Sequence, residues 1–477
     1  MWLENGRGNK MFRKIMVYSL CITASIALIG CDKEKKENVK KSDIEIEKCS
    51  DIREIRSWSK NNKWETRWVS GKKDNSAEIV INATVSVPTS DSMSVVEVNN
   101  ISVTGEDKQE IISSMFDKDE CYYYDDAHKT KEMWQREIEV KINRETDSVK
   151  YENEELLEIK NQMEEKMKKA PNEMTKVVDY NEDFGEYREE WKKDSYYGLI
   201  DKNKYIVEVF SDLGGSLKYD YIYVSPYDDK EWAPETLKNA TELSCGGKEE
   251  GEIALLTEQY PELTGENKCT ITLDEAKQSV EKYVEKLGVP NAVCTEEQDL
   301  LWSGYVDGEK KVEKNGYYLS YSLGIGDEPV ADAGVDEGFL SNEERENVVG
   351  RSMECNAVFE ITDKGIYYMY ITNPIKVKKV TGNVNLLPLG SIFDIIINHI
   401  DNLMDNEDVM KVQKKYSDLD LIYFRVANKE KSKTYSFIPV WRLTYRYEND
   451  GTQVIRNPIL VNAISGEIID VAREYAE

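Results

Sequence analysis

Ile79, Ile81, Ala83, Val85 and Val87 alternate with polar neighbours and stop at Pro88, a period of two that predicts a half-buried strand. Val96, Val98, Ile101 and Val103 predict a second strand. Two further runs, 204–211 and 217–225, flank Asp212-Leu213-Gly214-Gly215, a hairpin signal. A helix is expected over 107–117. Residues 130–170 are rich in Glu, Lys and Met, with Leu156, Leu157, Ile159 and Met163 at helical spacing, and Pro171 ends the run. Ordered structure is expected to start near residue 55, where Trp58, Trp64 and Trp68 cluster.

The best-specified element begins at Thr272, which with Glu275 forms a capping box in which each side chain satisfies an orphan amide of the helix start. Leu273, Ala276, Val280, Tyr283, Val284 and Leu287 then share one helical face, and Gly288 and Pro290 end the helix. A second amphipathic helix covers about 390–405, with Ile392, Phe393, Ile396, Ile397, Ile400, Leu403 and Met404 opposite Asp394, Asn398, Asp401 and Asp405. Strands are expected near 299–306, 316–323, 355–361, 366–373, 419–426, 435–447, 453–462 and 467–472, with turns at Asn449-Asp450-Gly451 and Ser465-Gly466. Helices do not alternate regularly with strands, so the pattern reads as α+β, with mainly antiparallel sheets and packed helices. A chain of 477 residues exceeds one ordinary core. Two domains are expected, an N-terminal one over 51–265 and a C-terminal one over 266–477.

Ahead of them, Lys10, Arg13 and Lys14 precede an uncharged apolar run from Ile15 to Ile29, too short to span a membrane comfortably. The run ends in Leu28-Ile29-Gly30-Cys31, which resembles the lipobox of bacterial lipoproteins. That resemblance implies a signal peptide over 1–30, cleavage before Cys31, and diacylglyceryl attachment to its thiol. The n-region fits a start at Met11 better than one at Met1. Asp32 to Ser50 is dense in charge and reads, with Cys31, as a tether. The expected location is the extracytoplasmic face of the cell membrane.

Charge narrows the partners. The formal net charge is −28, from 91 acidic and 63 basic residues, so a phosphate backbone is repelled and nucleic acid is excluded. Anionic headgroups are repelled too, which assigns the membrane contact to the lipid anchor.

Three C-terminal stretches carry a family resemblance. They are Thr272-Leu273-Asp274-Glu275-Ala276 opening a helix that ends in Leu287-Gly288-Val289; Tyr435-Ser436-Phe437-Ile438-Pro439-Val440-Trp441, an edge-like strand with an internal proline; and Leu460-Val461-Asn462-Ala463-Ile464-Ser465-Gly466-Glu467-Ile468, a strand, turn and strand. This part resembles the PepSY-like modules of Gram-positive cell-surface proteins, including the YycH/YycI type of sensor-kinase regulators. The resemblance implies a binding or regulatory module and transfers no catalytic residue.

Catalytic signals are sparse. The two histidines, His128 and His399, lack paired or HExxH spacing, which argues against a zinc site or a Ser-His-Asp triad. No G-x-S-x-G or P-loop is present, and Gly324 and Gly326 are followed by Pro329 where a third glycine would stand. Ser57 and Lys60 match S-x-x-K without its companion motifs. No cofactor is expected. Asp327, Asp332 and Asp336, on a glycine-bearing loop, are calcium candidates without EF-hand spacing. The 29 tyrosines include three sets on strands, at 219, 221 and 223, at 317, 318 and 321, and at 367, 368 and 370; such a face packs a half-exposed sheet or binds sugars or peptides. With the signal removed and Cys31 lipidated, six cysteines remain, and Cys245 with Cys269 is the favoured disulfide.

These readings converge on a non-enzymatic binding or regulatory protein of the cell envelope, partnered by the membrane through its lipid and by an envelope protein or a small ligand. A carboxylate-based hydrolase of a wall polymer is the alternative, and a solute-binding receptor a third. Cys31→Ser is expected to leave full-length precursor without lipid; radiolabelled palmitate that still enters the variant would overturn the lipobox reading.

Overall fold

In the computed structural model the described residues are 48–69, 78–101, 103–117, 120–147, 153–178, 185–187, 191–212, 220–247, 256–257, 259–326, 328–330, 355–406, 413–427, 434–449 and 452–469. The signal peptide, Cys31 with its lipobox, nearly all of the tether, Asp327, Asp332 and Asp336 lie outside them, as do Leu213–Gly215, Asp450 and Gly451.

Among the described residues the strands are β1 Lys63–Val69, β2 Glu78–Ser86, β3 Val95–Asn100, β4 Cys121–Tyr123, β5 Glu186–Tyr187, β6 Trp191–Ile200, β7 Asn203–Asp212, β8 Tyr221–Pro226, β9 Thr241–Gly246, β10 Val293–Val306, β11 Glu309–Ser322, β12 Gly324–Ile325, β13 Glu328–Pro329, β14 Asn356–Thr362, β15 Gly365–Thr372, β16 Ile375–Thr381, β17 Gln413–Ala427, β18 Thr434–Asn449, β19 Thr452–Asn462 and β20 Ile468–Ile469. The helices are α1 Ile52–Ser59, α2 Gly105–Met115, α3 Lys131–Asp147, α4 Asn153–Lys169, α5 Asp229–Trp232, α6 Leu273–Val284 and α7 Leu389–Asn406. Two large sheets organise them. An eight-stranded sheet runs β1-β2-β17-β18-β19-β20, with β3 also on β18 and β16 on β3. A ten-stranded sheet runs β4-β6-β7-β8-β15-β14-β11-β10-β9, with β5 on β6. Pairings are antiparallel except β2 with β17. The fold is α+β, as the pattern indicates.

The sheets do not divide the chain near residue 265. Strands β1, β2 and β3 join β16 to β20, while β4 to β9 join β10, β11, β14 and β15. The chain starts one sheet, builds the other through its middle, and returns to complete the first. Local hairpin signals cannot show this, because they specify neighbours and not the distant strand that seals an open edge.

Packing follows the two periods. In the ten-stranded sheet Val207, Val209, Ile222, Val224, Met369, Ile371, Ala357, Phe359 and Leu319 are buried, each at 2% exposure or less. Helix α6 lays Ala276, Val280, Tyr283 and Val284 on β11, β14 and β15. Its capping box forms as the spacing requires, with Thr272 Oγ1 accepting from Glu275 N at 3.2 Å and Glu275 Oε2 accepting from Thr272 N at 2.8 Å. Gly288, at φ +91°, closes the helix where a Cβ would lie 2.6 Å from Pro374 Cβ and 2.8 Å from Ile101 Cδ1, so only glycine fits there. On the other sheet α7 buries Leu389, Ile392, Ile396 and Ile400, and Phe393 stacks on Trp64 with centroids 4.2 Å apart.

Two features depart from local expectation. The stretch holding Pro439 is not an edge: β18 lies between β17 on one side and β3 and β19 on the other. The strand tolerates the proline because β3 pairs as far as Phe437 and β19 takes over at Val440. The missing N–H falls at that change of partner. Beneath β6, Asp194 is buried and receives two buried ammonium groups, Lys108 at 2.9 Å and Lys192 at 3.3 Å, while Gly185 N donates to its other oxygen at 3.0 Å. This ties α2 to the sheet, and removing the carboxylate would cost about 3–5 kcal/mol.

Residues 266–477 expressed alone are expected to lack a stable fold, since β17 and β18 lose β2 and β3. Near-ultraviolet circular dichroism with a cooperative melt from that fragment would contradict the interleaved topology.

Candidate functional site

The face of the ten-stranded sheet opposite α6 is set by register. Glu208, Tyr223, Tyr370, Val358 and Ser320 form one row across β7, β8, β15, β14 and β11. Tyr368, Glu360, Tyr318 and Gln298 form the next. Tyrosines of three separate sequence stretches, Tyr223, Tyr370 with Tyr368, and Tyr318, thus come together on one face of β8, β15 and β11, while Tyr219 lies outside the described residues. They do not all point one way: Tyr321 is buried on the core side against Phe359 and Tyr317 donates to Ile271 O at 3.1 Å, whereas Tyr367, at the irregularity where β15 meets β14, stays on the groove side and packs on Trp302 with centroids 4.8 Å apart.

Helices α3 and α4 stand on this face. Met133 of α3 packs with Tyr124 and Tyr197. Between helices and sheet runs a groove of ≈ 1040 Å³ lined by Tyr124, Trp134, Tyr223, Tyr227, Tyr367 and Tyr368, with charged groups of both signs. Lys129 Nζ lies 2.8 Å from Glu137 and 4.7 and 4.9 Å above the rings of Tyr124 and Trp134. Lys166 pairs with Asp126 at 2.6 Å and also covers Trp134, at 5.4 Å. The Arg136 guanidinium sits 3.9 Å over Tyr227, and Lys193 pairs with Glu208 at 3.3 Å. Tyr124 donates to Glu137 at 2.7 Å, and burial pushes its hydroxyl well above the usual range. Trp134 is 2% exposed, and among the described residues its indole N–H has no hydrogen-bond acceptor.

Glu360 sits beside this groove, between Tyr318 and Tyr368 in register. It is 9% exposed, and burial pushes its carboxyl up to about 7, against the opposing pull of a hydrogen bond from Cys245. Burial and the adjoining Glu360 likewise hold the Cys245 thiol well above its usual range. The expected Cys245–Cys269 disulfide is not formed. All six cysteines are free, and Cys269 Sγ points instead to Asp363 Oδ1 at 3.2 Å. Cys245 and Cys269 thus each have a carboxylate partner of their own.

Other sequence candidates are dispersed. His128 lies 2.8 Å from Asp125 Oδ1 and stacks obliquely on Tyr123, at the groove's margin. His399 is on α7 and Ser57 on the exposed side of α1, both away from the groove. Among the described residues no group of His, Cys, Asp and Glu is arranged to hold a metal ion. The strand tyrosines were legible as an aromatic face. Glu360 and the α3 residues Trp134 and Arg136 were not, because nothing local distinguishes one Glu among many or shows which sheet a helix will cover.

No family model matches the chain, and no curated protein matches it. Among solved structures it is similar to an uncharacterized protein from Eubacterium rectale ATCC 33656, at 12% identity over 90% of this chain and 98% of that one, with a TM-score of 0.40.

Because the folded state holds the Glu360 proton up to about 7 whereas an unfolded carboxyl releases it at 4.5, stability falls as pH rises between those values. The full penalty above pH 7 is about 3 kcal/mol. Glu360→Gln is expected to flatten that decline in urea midpoints measured from pH 5 to pH 8; an unchanged slope would show that burial does not hold the proton.

Proposed function

We propose that the protein is a lipid-anchored binding protein of the extracytoplasmic cell envelope, non-enzymatic, whose ligand lies in the groove between α3, α4 and the tyrosine face. The groove itself carries the reading. Its volume of ≈ 1040 Å³ suits a ligand of several sugar or amino-acid units. Its tyrosines offer rigid, amphipathic contact at low entropic cost. The Leu28–Cys31 sequence supports the anchor, and the binding character agrees with what the PepSY-like resemblance implies.

A hydrolase would be favoured by two carboxyls of unlike protonation facing one cleft. Glu360 is raised, but its hydrogen-bond partner is a thiol, and the groove carboxylates Glu137 and Glu208 are engaged with Lys129 and Lys193. That arrangement supports binding over hydrolysis.

Titration of the lipidated protein in detergent with a muropeptide mixture, followed by tryptophan fluorescence, tests the reading. A saturable change is expected, weakened at least about tenfold by Tyr124→Ala with Tyr223→Ala, in keeping with the loss of two aromatic contacts. New reducing ends or released peptides would move the assignment to a hydrolase, and the absence of any saturable change would remove the groove as a binding site.

A further inference from the structure

We infer that the groove selects a ligand bearing a cationic group, an ammonium or guanidinium, which seats on Tyr223, Tyr367 and Tyr368 at the sheet side of the groove. This rests on the binding reading and specifies its ligand class. The first observation is how the protein treats the groove's other rings. Tyr124 and Trp134 lie under Lys129, Trp134 also under Lys166, and Tyr227 under Arg136, at 3.9–5.4 Å. Each such contact is the attraction of a cation for the negative face of an aromatic ring. Among the described residues no cation covers Tyr223, Tyr367 or Tyr368, although all three line the same groove. Tyr223 and Tyr368 meet edge to face with centroids 5.2 Å apart, so the pair forms a corner and not a flat platform.

The second observation is charge. Carboxylates lining the groove outnumber cations six to four. Glu208 and Asp229 line it beside the ring corner, and they help burial raise the Tyr223 hydroxyl above its ordinary range. A ligand cation there replaces water on an aromatic corner that already feels negative charge, whereas an anion would be repelled. The third observation is independent of both. The Trp134 indole N–H, in the helical wall, is buried without an acceptor among the described residues. A buried donor left unpaired is costly, and a ligand carbonyl or hydroxyl that reached it as the Lys129 and Lys166 side chains moved off the ring would satisfy it. A molecule with a cation at one end and a neutral acceptor at the other meets both walls, which fits an amino-acid amide or a short basic peptide.

The probes are Nα-acetyl-lysine amide, its Nε-trimethyl form and the neutral Nα,Nε-diacetyl-lysine amide, titrated into the full lipidated protein in non-ionic detergent and read by calorimetry or probe line broadening. Both cationic probes are expected to bind at least tenfold more tightly than the neutral one. Tyr368→Leu should remove that preference, and Tyr368→Phe, which keeps the ring and the fold, should retain it. Equal affinity for charged and neutral probes, no binding of the cationic probes, or a preference that survives Tyr223→Leu with Tyr368→Leu would each overturn the inference. Muropeptide binding that persists without cation preference would sink this inference alone and leave the groove as a binding site; loss of both would sink the binding reading as well.

Discussion

The molecule is governed by the alternation of side chains across a wide antiparallel sheet. Once ten strands are in register, every residue on them is committed to one of two faces. One face is filled by Val, Ile, Leu and Phe and covered by α6 and α2, and it forms part of a continuous core reaching the second sheet. The opposite face cannot also be fully apolar without exposing a patch that invites aggregation. Tyrosine meets that constraint, because its ring packs on neighbours while its hydroxyl can take a polar partner, as Tyr124 does in Glu137. The groove is therefore a consequence of how the sheet solves its second face: α3 and α4 cover part of it, and the space left between is lined by the rings that would otherwise face water.

The same constraint explains the buried charges. Asp194 on β6 faces inward among apolar residues, and the sheet accommodates it by bringing Lys108 and Lys192 to its carboxylate. Glu360, on the tyrosine face, is covered by its cross-strand tyrosines and by β9, where a Cβ on Gly246 would come 3.8 Å from its Oε1. With a neutral thiol as its described hydrogen-bond partner, the carboxyl responds to burial by holding its proton. Two acidic groups of one sheet thus take opposite solutions, ion pairing on one face and a retained proton on the other.

What was legible in the sequence was local. The box at Thr272 and Glu275, the apolar stripe of α7 and the alternation from Ile79 to Val87 each name their element within a few residues, because capping and periodicity act over one or two turns. Strand β6 was missed: Trp191-Lys-Lys-Asp-Ser-Tyr-Tyr-Gly-Leu-Ile200 places Lys192 and Asp194 where an inward pattern calls for apolar residues, and only Lys108 of α2 makes that pattern sensible. Strand β16 was missed because Lys376 to Thr381 is exposed on both faces and has no periodic signal. The interleaving of the two sheets across residue 265 was illegible for a related reason. The parallel pairing of β2 with β17 spans more than 300 residues, and no short pattern encodes a contact at that separation.

The acidic surface and the groove belong to one electrostatic argument. A chain of net charge −28 raises the local concentration of cations around it, and the effect fades within about 8 Å at physiological salt. Beyond that distance the charge guides encounter; within it, specific groups decide what stays. In the groove the nearest cations are the protein's own, and Lys129, Lys166 and Arg136 are held against rings as well as carboxylates. Their stems and heads take up aromatic surface that a diffusing lysine or arginine would compete for. Small cations drawn in by the general field therefore find most of the rings occupied, and the surface left to an incoming group narrows to the tyrosine corner on β8 and β15. A body that attracts cations everywhere gains selectivity only by satisfying its other aromatic sites internally, and that is the arrangement that Lys129, just ahead of α3, Arg136 of α3 and Lys166 of α4 provide.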